Sequence, residues 1–239
     1  TVEDAFTARH EALTFPTWNQ SAPARIARRL ALATFLLPLT RLFARIRVDG
    51  LDHLAPVKEP VVYAANHQSY IDAAVILAAM PARRRYRTAT AAAKEFFAAH
   101  YRPDQHSRLA RLTSSLSYYL STLFFNVFPL PQREAGTRES IRYLGELLSA
   151  GTSVLIFPEG VRTETGKIDE FRPGIGMIAL RLKAPIIPVR IVGVDRILHR
   201  SWRMARPGSV RVIFGAPLQP TGTDYRRIAK QVEEAVKAL

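Results

Sequence analysis

The stretch VVYAANHQSYIDAAVILAAM, Val61 to Met80, decides how the rest of the chain is read. Val61 to Ala65 is β-branched, aromatic or small and apolar, the composition of a strand. Polar residues follow from Asn66 to Ser69, and the apolar pattern that resumes from Tyr70 to Met80 is long enough for a helix. A strand passing through a short polar loop into a helix is the repeating unit of α/β proteins.

The same alternation extends in both directions. Further strands are expected at Ile46 to Val48, Tyr86 to Thr90, Phe124 to Leu130, Val154 to Phe157, Ile186 to Val192 and Val210 to Phe214. Helical patterns lie at Ser107 to Thr122, Thr137 to Ala150 and Gly174 to Leu182, and a last one places Ile228, Val232, Val236 and Leu239 on one face. The expected fold is α/β: one domain over residues 46–239 with a mixed central sheet of about seven strands flanked by helices. Residues 1–45 precede it as a helical segment.

Charge narrows the partners. The 34 Lys and Arg exceed the 20 Asp and Glu to give a net charge of +14 and an isoelectric point near 10.7. Such a surface attracts phosphate, whether on lipids, small substrates or nucleic acids. The cations are scattered and no nucleic-acid-binding fingerprint occurs, so a nucleic-acid partner is not expected. With no cysteine, thiolate nucleophiles and sulfur-ligated zinc are excluded. The six histidines form no H-E-x-x-H pattern, so no metal is expected.

Leu30 to Leu39, LALATFLLPL, is apolar but only ten residues long. As a helix it measures about 15 Å against roughly 30 Å of hydrocarbon, and Pro38 interrupts it, so it cannot span a bilayer. Arg25, Arg28 and Arg29 precede it, and Arg41, Arg45 and Arg47 follow it. That pattern fits a helix lying among anionic headgroups, and equally a core-packed helix with basic ends.

The loop after Val61 to Ala65 holds the first candidate chemistry. Residues five apart on a helix lie about 140° from each other, so His67 meets Asp72 only if it precedes the helix and folds over the first turn. Two readings are open: a catalytic pair, or a capping box with Ser69 as N-cap and Asp72 at the third position. The second reading leaves His67 without a role. A second constellation, SVLIFPEGVRTETG from Ser153 to Gly166, ends a strand with Glu159, Gly160 and Arg162. A carboxylate, a guanidinium and a glycine at a strand end suit a polyol phosphate, although a Pro-Gly turn with a surface ion pair explains the same residues.

Together these stretches resemble the glycerophospholipid acyltransferase family of the lysophosphatidic acid acyltransferase type. Its first block, N-H-x-x-x-x-D, matches Asn66, His67 and Asp72, and its second-block arginine matches Arg133. The third block, F-P-E-G-x-R, matches Phe157 to Arg162, and the proline-bracketed apolar strand matches Pro185 to Val189. FRPG at Phe171 to Gly174 is similar to the basic turn that follows the third block, and the likeness covers roughly Ile46 to Leu218. Asn126 stands where a glycine is usual, Val161 replaces threonine, Thr163 replaces serine, and the segment His100 to Ser107 is longer and more polar than the family pattern.

The resemblance implies an O-acyltransferase that moves a fatty acyl group from a thioester, acyl-CoA or acyl carrier protein, to lysophosphatidic acid, with no further cofactor. It implies His67 as general base and Asp72 as its orienting acid, with Asn66, Arg133, Glu159, Gly160 and Arg162 holding the acceptor. The acyl chain is expected along Leu116 to Phe128. Under this reading the Leu30 segment becomes an interfacial anchor at the cytoplasmic face of an anionic membrane, peripheral or monotopic. Alternatives are an acyltransferase of the same fold with another acceptor (glycerol 3-phosphate, another lysophospholipid, a glycolipid or a lipidated amine), a basic binding module without catalysis, and a thioester hydrolase.

Overall fold

The computed structural model describes residues 15–101, 103–130, 137–163, 167–198 and 204–239. Its helices are α1 (Ala22–Ala31), α2 (Leu37–Phe43), α3 (Leu51–Leu54), α4 (Asp72–Ala79), α5 (Ala82–Arg85), α6 (Ala98–Tyr101), α7 (Arg108–Phe125), α8 (Thr137–Ser149), α9 (Gly174–Leu182) and α10 (Tyr225–Ala238). The strands are β1 (Ala44–Asp49), β2 (Val62–Ala65), β3 (Thr88–Ala93), β4 (Val127–Leu130), β5 (Ser153–Ile156), β6 (Ile186–Val192) and β7 (Gly208–Phe214). They form one seven-stranded sheet in the order β1-β7-β6-β2-β5-β3-β4. Every neighbouring pair is parallel except β6 and β7, so the sheet is mixed, as expected.

Helices cover both faces. Val62 and Ala64 of β2 join Leu144 and Leu147 of α8, Ile175 and Ile178 of α9, and Val232 and Val236 of α10 in one core. Tyr63 and Ala65 point the other way, toward Val75, Ile76 and Leu77 of α4. Burial on both faces is why β2 reads as an unbroken apolar run rather than an alternating one.

Some details differ from the sequence reading. The strand expected at Tyr86 to Thr90 runs from Thr88 to Ala93, because Ala91 to Ala93 pair with Phe128 to Leu130 of β4 despite alanine's weak strand preference. The strand expected from Phe124 begins at Val127: α7 continues to Phe125 and stops where Asn126 takes a left-handed conformation at φ 52°. Asparagine is the residue after glycine that best tolerates this geometry, which explains its place at a usual glycine position. Pro38 does not break the N-terminal helix either. A π-helical turn, Leu32–Leu36, links α1 to α2, and Pro38 falls in the first turn of α2, where its missing N–H does no harm.

The N-terminal helices are tied to the body by polar and apolar contacts. Leu32 and Leu37 are buried with Ala78 of α4. Arg28 is also buried: its guanidinium donates to the carbonyls of Leu123, Thr122 and Asn19. Burial lowers its pKa to about 10, with the charge of Arg25 adding to the effect. Arg28 therefore caps the C-terminal end of α7 and is not one of the headgroup-facing cations that its position in the sequence suggests. The side chains of Asn19 and Gln20 donate to Asn126 Oδ1 at 2.8 and 3.0 Å, fastening the same corner.

Candidate active site

Parallel pairing of β2 with β5 sets Ala64 beside Ile156. The loops that leave these strands, Asn66 to Ile71 and Phe157 to Thr163, therefore emerge side by side at the carboxyl ends of two central strands. This is the end of an open α/β sheet at which ligands bind.

His67 and Asp72 meet. His67 Nδ1 lies 2.7 Å from Asp72 Oδ2, and the same oxygen accepts the backbone N–H groups of Gln68 at 2.6 Å and Ser69 at 2.9 Å. The helix starts at Asp72, later than expected, which leaves His67 in the loop with its ring folded over the first turn. Half of the expected capping box is present, since the acid accepts from Ser69 N. The other half is absent: Ser69 Oγ donates to Leu198 O at 2.6 Å. Asp72 is wholly buried, whereas the His67 side chain is 19% exposed. Its ring stacks on Phe157 at 4.3 Å between centroids. With Nδ1 engaged, Nε2 is the ring nitrogen left for the cavity that His67 lines.

Two residues expected to touch an acceptor are instead directed at backbone. Asn66 is buried, its amide donating to Ile191 O at 3.0 Å and accepting from Ile191 N at 2.7 Å, so that it lengthens the β2–β6 ladder by one side chain. Glu159 is 3% exposed; its oxygens accept from His67 N at 2.6 Å and from Asp169 N at 2.9 Å. Burial pushes its pKa up to about 7, against the opposing pull of the hydrogen bonds from Asp169 and His67. Thr163 N donates in return to His67 O at 3.0 Å, which locks the two loops together. Both side chains thus make their hydrogen bonds to backbone groups of the chain, Glu159 to the histidine's own N–H.

Gly160 and Arg162 do line the cavity. Gly160 has φ 76°, and a Cβ there would lie 2.5 Å from Arg172 Nε. The close approach it permits is to that guanidinium, whose Nε donates to Glu159 O at 3.1 Å. Arg162 sits over the Tyr70 ring at 3.7 Å, and its Nε is buried without a hydrogen-bond partner among the described residues. That N–H is therefore a donor beside the cavity that no described residue uses. Arg133 lies outside the described residues.

The cavity holds about 770 Å³. Its polar mouth has His67, Arg162 and Arg172, and its depth is apolar, with Phe97, Leu144, Ile156 and Ile178. Of the stretch expected to hold an acyl chain, Ser121, Phe125 and Val127 reach the cavity, while Leu116 faces outward. Sequence reasoning missed Arg172 and Tyr70 as site residues. The FRPG turn was the signal for the first; the second carried none.

The profile of the acyltransferase family matches residues 45–192, which include both loops and the histidine–aspartate pair. The chain belongs to this family. Among curated relatives, it is similar to the chloroplastic 1-acyl-sn-glycerol-3-phosphate acyltransferase of Arabidopsis thaliana, with 24% identity over 76% of this chain and 46% of that protein. The 1-acyl-sn-glycerol-3-phosphate acyltransferase of Cocos nucifera is 27% identical over 72% of this chain and 50% of its own length. The chain spans about half the length of the curated relatives it matches. Among solved structures, the 1-acyl-sn-glycerophosphate acyltransferase of Thermotoga maritima superposes with a TM-score of 0.63 over 99% of this chain and 84% of that one. At 23% identity this likeness shows a shared fold. The buried Asp72 carboxylate and the partly exposed His67 imidazole both lie inside the matched region.

Proposed function

We propose that this acyltransferase moves a fatty acyl group from a thioester to the free hydroxyl of lysophosphatidic acid, giving phosphatidic acid, with His67 as general base. The observation that carries the reading is the 2.7 Å contact between His67 Nδ1 and Asp72 Oδ2 at the mouth of an apolar cavity. Neutral imidazole is suited to take a proton from an alcohol near pH 7. His67 Nε2 removes the hydroxyl proton as the oxygen attacks the thioester carbonyl. Asp72 holds the tautomer and stabilises the imidazolium, in the manner of the acid in a serine hydrolase triad. Collapse of the tetrahedral intermediate breaks the carbon–sulfur bond, and the departing thiolate takes the proton back from His67. The products are an ester and a free thiol, and no acyl-enzyme is formed.

The acceptor's phosphate is assigned to Arg162 and Arg172, whose side chains line the cavity mouth beside His67. Bidentate guanidinium contacts suit a phosphate monoester. The acyl chain takes the apolar depth. Names of the curated relatives support this acceptor, and so does the basic surface. Acyl-CoA or acyl carrier protein is the expected donor, delivered to a peripheral enzyme at the cytoplasmic face of an anionic membrane.

The test is thiol release together with phosphatidate formation from acyl-CoA and lysophosphatidate. His67→Ala is expected to lower the rate by about 10²- to 10⁴-fold or more, and Asp72→Asn by a comparable factor, with circular dichroism unchanged. Thiol release indifferent to both substitutions overturns the assigned roles. An acceptor panel read by mass spectrometry separates lysophosphatidate from glycerol 3-phosphate, other lysolipids, glycolipids and amines, and thiol release without any acylated acceptor marks a hydrolase.

A further inference from the structure

Helix α7 is built inside out. Leu109, Leu112, Leu116 and Tyr119 follow one another at intervals of three, four and three residues, which places them on one face, and that face is open to solvent: the three leucines are 71%, 67% and 57% exposed. The inward face is mixed: Tyr118 packs with Phe97 and Val127, and polar side chains lie beside it. Ser115 Oγ meets His100 Nδ1 at 2.9 Å, Ser114 Oγ accepts from His100 N at 3.2 Å, and Thr122 is buried. A helix that holds a stripe of leucines out of the core is suited to an apolar partner. No described helix is long and apolar enough to cross a membrane, which leaves a helix lying in the interface.

We propose that the α7 face is a lipid-docking surface and that its partner is an anionic bilayer. Charge favours this occupant: Arg108 and Arg111 are exposed on α7 itself, and Arg25 and Arg29 are exposed on the adjoining α1. The surface also continues beyond the helix. Trp18 stands 6.1 Å from Tyr119 by ring centroids, both exposed, as indole and phenol rings are at a headgroup boundary. On α1, Ile26 and Leu30 are 60% exposed. Ser121 and Phe125 line the cavity from the opposite side of α7, so docking by the leucine stripe does not rest on the acyltransferase reading and is tested without activity.

The full chain is mixed with vesicles of phosphatidylcholine and phosphatidylglycerol, and the bound fraction is measured by co-sedimentation. Leu109→Gln with Leu112→Gln is expected to weaken partitioning by roughly tenfold or more, because two apolar side chains no longer leave water. Release of thiol with a short-chain, monomeric lysophosphatidate is expected to stay at the wild-type rate, which shows the fold and site intact. The chain has no cysteine, so Leu116→Cys accepts one environment-sensitive fluorophore. Its emission is expected to shift to the blue when vesicles are added. Partitioning of the double variant equal to wild type, or a probe that does not respond, overturns the proposal. So does a dimer in ultracentrifugation that the double variant loses while vesicle binding persists, since a second copy then covers the face. Failure of acyl transfer in the wild type with docking intact defeats the functional reading and leaves this one standing.

Discussion

In the loop from Asn66 to Asp72, buried polar side chains turn inward onto backbone: Asn66 onto Ile191, Asp72 onto Gln68 and Ser69, with Glu159 reaching across from the neighbouring loop to His67 N. Helix α7 shows the reverse, with serines against the body and leucines in solvent. The first region is complete in itself. The bonds that place the histidine are supplied by the chain, so its geometry is set before any substrate arrives, although Asp72 Oδ1 has no partner among the described residues. The second region is complete only in contact with something apolar outside the protein. A site needs the first kind of order because a general base acts only when held in place; a docking face needs the second because its partner is a fluid phase.

The sharpest way to break this comparison is Glu159→Ala. It takes away the acceptor of the His67 and Asp169 N–H groups, both in part-buried bonds, at about 1–3 kcal/mol for each that water does not reach. We expect a loss of roughly 2–5 kcal/mol in urea unfolding and a fall in acyl transfer of about 10²-fold, since a displacement near 1 Å has that effect. The deficit depends on pH. Because burial raises the Glu159 pKa from 4.5 to about 7, the fold favours the neutral acid, and wild-type stability from this group declines as pH rises from 4.5 through 7. The variant's deficit is therefore larger at pH 5 than at pH 8. A variant with unaltered rate and stability means that the loops are held some other way.

A smaller loss with the opposite pH dependence is expected at Glu233. Its carboxylate is buried and accepts from Phe171 N at 3.0 Å, Lys230 Nζ at 2.8 Å and Lys237 Nζ at 2.7 Å. Burial raises its pKa, but the hydrogen bonds from both lysines and from Phe171 outweigh that and hold it at about 2. A depressed carboxyl pKa stabilises the fold above about 4.5 and ceases to do so as pH falls toward 2. The lysines are about half exposed, so the contribution is discounted for screening to roughly 1–2 kcal/mol. Glu233→Gln should therefore lower stability at pH 7 by that amount and converge with wild type at pH 2. Because Glu233 fixes Phe171 beside Arg172, a weaker apparent affinity for the phosphate-bearing acceptor, at nearly constant turnover, accompanies it. Parallel acid-unfolding curves for the two proteins refute the role.

The seven strands and their alternation with helices were legible because β2, β5 and β6 are buried on both faces and carry continuous apolar runs. The His67–Asp72 contact was legible from spacing alone, once the loop was separated from the helix. The partners of Asn66 and Glu159 were not: both bonds close across long stretches of chain, to Ile191 in one case and His67 in the other, and no local pattern marks them. Arg28 was misplaced for the same reason. In sequence it belongs with Arg25 and Arg29, but helical geometry turns it alone toward the carbonyls that end α7. Inverted patterning on α7 was hidden differently. An amphipathic helix reads the same whichever side faces the core, and only tertiary placement shows which stripe is outside.

The smallest expected effect tests that placement. Leu112→Gln exchanges one good helix former for another at a solvent-facing position, so in the absence of lipid it should alter unfolding stability by no more than about 0.5 kcal/mol. Buried Leu144, at the meeting of α8 with the sheet, sets the scale: truncation of such a residue to alanine costs about 2–5 kcal/mol. Urea denaturation of Leu112→Gln without vesicles decides the matter. A loss above about 1.5 kcal/mol is too large for an exposed side chain and means that the leucine stripe packs within the protein; a near-zero change leaves the stripe unpartnered in water, which is the condition any lipid must meet to find it.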